Sequence, residues 1–173
     1  DGQLITNSLS VQPKVHAGNI VSDVANDILK LVVVNRYADA EPAIAFIKNF
    51  GLQRGAIASS VAHDSHNVIA VGVDDTDIST AMSLVMENHG GLSAASHRDG
   101  VAEALPLPVA GLMATGTCQE VGAAYGKLDQ LAKEWGSPLR APYMTLSFMA
   151  LLVIPSLKLS DKGLFDGDKF AFV

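Results

Sequence analysis

The residues able to do chemistry are concentrated in one short stretch of this chain. Two imidazoles, a carboxylate, a hydroxyl and an amide fall within five consecutive positions: His63, Asp64, Ser65, His66 and Asn67. Such groups can transfer protons, form directed hydrogen bonds or bind a metal ion. This stretch, the polar knot, is therefore the predicted functional site.

Two other interpretations of the polar knot stay open. Asp, Ser and Asn favour turns for local reasons, and polar side chains near strand ends are often satisfied by backbone groups. A metal site needs at least three ligands, so the metal hypothesis takes His63, Asp64 and His66 together. The flanking residues favour strand or turn, so the spacing of the two histidines does not place them on one helix face.

Apolar runs on both sides of the polar knot must position it. Residues 56–62 and 68–73 predict neighbouring strands, and the Val-rich run 29–35 predicts a central strand buried on both faces. Asp74 is the expected N-cap of an amphipathic helix that follows. Arg36, at the end of the central strand, is expected to be solvated, and an anion clamp is the alternative.

The remaining patterns predict an α+β domain of mixed layers, with a central sheet, hairpins and three or four packed helices. The further predicted elements are short strands at Leu4–Ile5 and Val11, a helix over 43–50 capped by Asp39, a hairpin of strands 92–96 and 101–105, a helix from the capping box of Thr117 and Glu120 to Gly136, a short helix over 145–152, and strands at 157–160 and 169–173.

Composition narrows the classes of function. The net charge of −6 over 173 residues argues against nucleic acid and membrane surfaces as partners. Only 17% of the residues are charged, so part of the surface is expected to be covered by another structure. The single Cys118 excludes an internal disulfide framework and fits a cytoplasmic location. The longest apolar run, 148–155, is too short to span a bilayer.

Several blocks of the sequence resemble one known family. The motif SSVAHDSHN at residues 59–67 contains the polar knot, and further blocks follow in the family's order at 27–30, 32–37, 46–52, 70–75, 105–112, 142–148 and 153–164. In these blocks the chain resembles the C-terminal domain of adenine deaminases. Those enzymes are metal-dependent members of the amidohydrolase superfamily.

The resemblance implies a division of the chain and a parent enzyme. Residues 1–20 would be a linker or peripheral strands from a preceding domain, and residues 21–173 would be the C-terminal domain. The parent would convert adenine and water to hypoxanthine and ammonia in purine salvage, with manganese or iron in its barrel, as a homo-oligomer. A barrel needs roughly 250 residues, and the chain lacks the family's His-x-His metal pair, so we expect the isolated chain to be inactive and to hold no catalytic residue.

The resemblance also implies an accessory role. We expect the domain to support or cover the barrel active site, with His63, Asp64, Ser65, His66 and Asn67 near that site. One alternative is a purely structural or oligomerisation module, and another is an independent domain that binds a small molecule or a metal. Knot side chains that face the barrel would favour the accessory role, whereas side chains bonded only to their own backbone would favour the structural module.

Overall fold

A six-stranded antiparallel sheet organises the protein, as seen in a computed structural model that describes residues 4–173. The elements are, in chain order, β1 (Lys14–His16), β2 (Asn19–Val21), a 3₁₀ turn (Val24–Asn26), β3 (Ile28–Val34), β4 (Ala43–Lys48), β5 (Ala56–Ser59), β6 (Val68–Gly72), α1 (Asp75–Glu87), β7 (Gly91–Ser96), β8 (Val101–Pro106), α2 (Cys118–Glu134), α3 (Pro142–Phe148), β9 (Leu157–Ser160), β10 (Gly163–Asp166) and β11 (Ala171–Phe172).

The strand order of the main sheet is β4-β3-β6-β5-β7-β8, and every neighbouring pair is antiparallel. Two smaller sheets contain β1-β2 and β11-β10-β9. The predicted α+β class is confirmed, with its central sheet, its hairpins and three α-helices. Among residues 4–173, no helix is both long and apolar enough to cross a membrane.

The Val-rich run forms β3, and it is buried because both faces of the sheet are covered. Leu29 and Val33 pack in the core that α2 and α3 close, whereas Val32 packs in the core beneath α1. Because successive side chains of a strand point to opposite faces, a strand covered on both sides must be apolar throughout. The sequence interpretation of this strand is confirmed.

The helices begin where the sequence caps predict them. The Asp74 carboxylate accepts a hydrogen bond from the backbone N–H of Asp77 at the start of α1. Thr117 and Glu120 form the complete capping box of α2. Such caps satisfy backbone donors that the first helical turn leaves free. Both predicted helices are confirmed.

The helix predicted over residues 43–50 is wrong, because this segment is the edge strand β4. Its burial alternates along the chain, with Ala43, Ala45 and Ile47 half-buried towards the core and the residues between them exposed. Almost every residue in the segment is apolar, so it fits both a helical stripe and a strand. The β3 ladder decides in favour of the strand, since β4 pairs with it over six residue pairs.

Two smaller predictions need correction. The chain forms no strand at Leu4–Ile5 or Val11, and the first strands are β1 and β2 instead. The short helix lies at 142–148 rather than 145–152, since Pro142 stands in its first turn, a position that suits proline. Residues 1–3 of the predicted linker lie outside the described residues, and the domain division at residue 20 stays a prediction.

A strap formed by residues 4–6 lies against the start of β9. The Thr6 N–H donates to the Pro155 carbonyl at 3.0 Å, and the Ser156 N–H donates back to the Thr6 carbonyl at 3.0 Å. The buried Lys158 ammonium donates to the Leu4 carbonyl at 2.8 Å. Burial lowers the pKa of Lys158 to about 8.

This buried lysine predicts a stability that rises in mild alkali. Between pH 8 and 9.5 the unfolded chain binds more protons at Lys158 than the folded chain does, because the folded pKa is the lower one. The free energy of unfolding should therefore increase with pH, by at most about 1.4 kcal/mol per pH unit from one group. Urea denaturation across this range should show the rise in the wild-type chain and a smaller slope in Lys158→Met. The exposed Lys162→Met is the control, and an unchanged slope in Lys158→Met would contradict the assignment.

Candidate functional site

The ends of five strands place the polar knot at one edge of the main sheet. The register pairs Val34 at the end of β3 with Val68 at the start of β6, and Ser59 at the end of β5 with Leu92 near the start of β7. The start of β7 also pairs with Pro106 at the end of β8. Loops 35–37, 60–67 and 107–113 therefore leave the sheet at the same edge, called the knot edge below.

Ser60 joins two of these loops beneath the surface. Its fully buried hydroxyl donates to the Gly111 carbonyl at 2.6 Å and accepts from the Gly91 N–H at 2.8 Å. Its own N–H donates to the Gly91 carbonyl at 2.9 Å. These bonds fix the start of the knot loop against loop 107–113.

Arg36 connects all three loops. Its backbone N–H donates to the Asn67 side-chain oxygen at 3.1 Å, and Nη2 donates to the Ala110 carbonyl at 2.8 Å and to the Tyr37 hydroxyl at 3.0 Å. The Tyr37 hydroxyl donates in turn to the Ser65 carbonyl at 2.9 Å. Arg36 is half-buried and its side-chain bonds lie at the surface, so the guanidinium keeps solvent contact as expected, while the groups it binds in the described chain are neutral rather than anionic.

Gly111 allows this guanidinium to lie in place. A Cβ at position 111 would stand 1.5 Å from Arg36 Nη1, and Gly111 has a φ of +75°. The positive φ favours glycine, and a side chain here would also displace the guanidinium of Arg36 from its hydrogen bonds.

The knot side chains divide into two groups. Asn67 is buried and accepts the Arg36 N–H, so its role lies within the fold. The side chains of His63, Asp64 and Ser65 form no hydrogen bond with any residue of the described chain, although backbone bonds from His63 N–H to Ser147 and from Tyr37 to the Ser65 carbonyl hold their loop. Asp64 and Ser65 are also exposed. This part of the knot is held in position by its backbone and by the ring contacts of His63, and its hydrogen-bonding groups are unused within the described chain.

His63 and His66 lie next to each other on an aromatic support. The His63 ring is 4.9 Å from the Phe148 ring and 5.6 Å from the His66 ring, centroid to centroid. The Nδ1 atom of His66 is buried without a hydrogen-bond partner in the described chain. Burial lowers the pKa of His66, the charges of His63 and Arg36 lower it further, and Asp64 opposes them. The burial and the two positive neighbours therefore favour the neutral form of His66.

The described residues do not offer a metal site at the knot. Nowhere within residues 4–173 are three or more His, Cys, Asp or Glu side chains arranged to hold a metal ion. His63, Asp64 and His66, the ligands of the metal hypothesis, thus lack the geometry of a three-ligand site. The knot can instead supply an imidazole, a carboxylate and a hydroxyl as hydrogen-bonding or proton-exchanging groups to a neighbouring surface.

Sequence reasoning missed four residues of this edge: Tyr37, Ser60, Gly111 and Phe148. Ser60 directly follows a buried strand, and Gly111 follows a segment made extended by two prolines, so both positions carried a local signal. The contacts of Tyr37 and Phe148 carried none, because they form only when distant loops meet.

The comparisons with known proteins agree on one family and cover almost the whole chain. The family model described as adenine deaminase C-terminal domain matches residues 3–171. Adenine deaminase of Methanosarcina barkeri is 54% identical over 173 residues, which cover all of this chain and 31% of the relative. The adenine deaminase of Salinibacter ruber is 51% identical, again over all of this chain and 32% of the relative. The chain thus spans about a third of the length of the curated relatives it matches.

Because Gly111 lies against Arg36, a methyl group added at position 111 should destabilise the fold. Gly111→Ala should lower the free energy of unfolding by about 2–3 kcal/mol, since it combines left-handed strain with loss of the Arg36 hydrogen bonds when the flexible guanidinium is displaced. Gly100→Ala is the matched control, because Gly100 has a similar φ of +65° but nothing within 4 Å of an added Cβ. Its expected cost is about 1 kcal/mol.

Urea denaturation of both variants tests this difference. Arg36→Ala in the Gly111→Ala background should remove part of the extra cost, because the clashing group is gone. Equal losses in the two glycine variants would contradict a stabilising role for Arg36 in this position.

Because its Nδ1 is buried without a hydrogen-bond partner in the described chain, His66 should make the protein less stable in mild acid. Because its folded pKa lies below the unfolded value, the unfolded chain binds more protons as the pH falls from 7 to 5, and the free energy of unfolding falls. His66→Asn removes this titration and keeps a residue type that tolerates the φ of +52° at this position. Denaturation at pH 7, 6 and 5 should show a shallower decline in the variant. The same decline in both proteins would refute the assignment.

Proposed function

This chain belongs to the adenine deaminase C-terminal domain family, and we propose that it is the accessory domain of an adenine deaminase whose catalytic barrel precedes it. The whole enzyme would convert adenine and water to hypoxanthine and ammonia. The relatives carry the name adenine deaminase, and their length outside the match is more than twice that of this chain. That length can hold a barrel of roughly 250 residues.

The knot edge is the part of this domain that we assign to the active site. One observation carries the assignment: His63, Asp64 and Ser65 belong to a loop fixed by backbone bonds, yet their side chains have no hydrogen-bond partner among residues 4–173. Groups held in place but unused within the fold are suited to contact a surface outside it. The alternative of a purely structural module expects side chains satisfied within the fold, and only Asn67 shows this behaviour.

Metal chemistry in this proposal belongs to the preceding barrel. The parent is proposed to use manganese or iron, and the described residues of this chain do not fit such an ion. His63, Asp64 and Ser65 would instead donate or accept hydrogen bonds at the rim of the active site and orient groups there. Cytoplasmic purine salvage and assembly as a homo-oligomer are parts of the same proposal.

The proposal predicts that His63→Ala impairs turnover without unfolding the protein. In the full-length enzyme, deamination should slow by about tenfold or more if the imidazole supports groups at the active site. The free energy of unfolding should change little. The control is His97→Ala, which changes an exposed histidine at the tip of the β7–β8 hairpin. The measurements are adenine deamination and urea denaturation.

A different pair of results would support the structural module. If His63 only packs against Phe148 and His66, His63→Ala should cost roughly 1–3 kcal/mol of stability and leave turnover unchanged. The isolated 173-residue chain should show no turnover in the same assay. Turnover by that chain alone would overturn the proposal.

A further inference from the structure

We propose that residues 4–21 form a second docking surface, whose occupant is the region that precedes this domain in the full-length protein. The inference rests on the proposed function only in taking that region as part of the same polypeptide. It concerns a part of the molecule distinct from the knot edge.

Residues 4–21 expose an unusual amount of apolar surface. Five aliphatic side chains in this stretch are largely accessible to solvent: Ile5, Leu9, Val11, Val15 and Ile20. Isolated exposed aliphatics are common, but an accumulation in one segment marks an interaction surface. These side chains are therefore candidates for contact with another surface.

Two of these side chains form one apolar face on the β1-β2 hairpin. Val15 and Ile20 are directly paired across the two strands, so they project from the same face, where they are 59% and 48% exposed. Within residues 4–173 the hairpin belongs to no larger sheet, and a two-stranded ribbon without a covered apolar face is marginally stable in water. The outer edge of each strand forms no ladder with another described strand.

The occupant follows from the arrangement of the family. The match begins at residue 3 and is to a C-terminal domain, so the unmatched length of the relatives lies before it. Because the match starts at residue 3, the preceding region of the relatives joins the chain directly before this apolar segment. The docking region would present an aliphatic surface to this segment. The simplest form is an extended strand that pairs with a free edge of the hairpin.

The hairpin lies at the opposite ends of β3 and β6 from the knot edge. Ser22, directly after β2, bonds to the Gly72 carbonyl and to the Lys30 N–H. Gly72 and Lys30 are register partners at the opposite end of β3 and β6 from Val34 and Val68. Four residues of strand, about 13 Å, lie between the two ends. Docking at the hairpin can thus be tested without disturbing the knot.

The experiment places a charge on the hairpin face and compares two proteins. Val15→Asp and, separately, Ile20→Asp are introduced into the full-length protein and into the 173-residue chain. In the full-length protein each variant should lower the thermal midpoint by about 4 °C or more, since it puts a carboxylate into an apolar interface. In the 173-residue chain the same variants should leave the midpoint unchanged. Ile44→Asp, at a 56% exposed position of β4, is the control and should have no effect on either protein.

Other outcomes overturn the docking surface. Equal losses in both proteins would show that the hairpin face is covered within this domain. A dimer of the 173-residue chain that Val15→Asp dissociates, measured by sedimentation, would assign the face to a second copy. No loss in either protein would leave the face without an occupant and reject the proposal.

A deamination assay on the same samples separates this inference from the proposed function. Deaminase activity in the full-length protein without any midpoint shift would reject the docking surface alone. A midpoint shift confined to the full-length protein, with no deaminase activity, would reject the proposed function and support the docking surface.

Discussion

The register of β3, β6 and β5 is the constraint on which the rest of this structure depends. Both faces of these strands are covered by helices, so a slip of one residue would exchange Leu31 and Val32 between two differently shaped cores. Because the register cannot slip, each strand ends at a fixed residue. Ser60 and Arg36 stand at such points, and their hydrogen bonds reach loops far away in the sequence only because the strands carry them there.

The sequence predicts those parts of the fold whose signal is local. The buried strand β3, the neighbouring strands β5 and β6, the β7-β8 hairpin and the capped helices α1 and α2 all follow from periodicity, turn residues or caps. The segment 43–48 could not be predicted in this way, because its nearly continuous apolar run fits two periods. Its pairing with β3, a tertiary interaction, selects the strand.

For the site, too, the sequence predicted what is local and not what depends on contacts between distant segments. The five residues of the polar knot are adjacent in the sequence, so their types alone drew attention to them. The sequence could not show that Asn67 faces inward and bonds to Arg36 while Asp64 faces solvent. Nor could it pair Arg36 with Ala110, which stands 74 positions away, or give the reason for glycine at 111.

In mechanical terms, the strap of residues 4–6 is a tether. Tension applied to the chain before Leu4 would load the two backbone bonds of Thr6 and the Lys158 ammonium before it reached the main sheet. The loaded strand β9 leads into Asp161, whose carboxylate accepts a hydrogen bond from Asn35 at 2.7 Å. Asn35 in turn accepts the N–H of Tyr37 at the knot edge. A series of hydrogen bonds therefore links the strap, through β9 and Asn35, to the loop of Tyr37 at the knot edge.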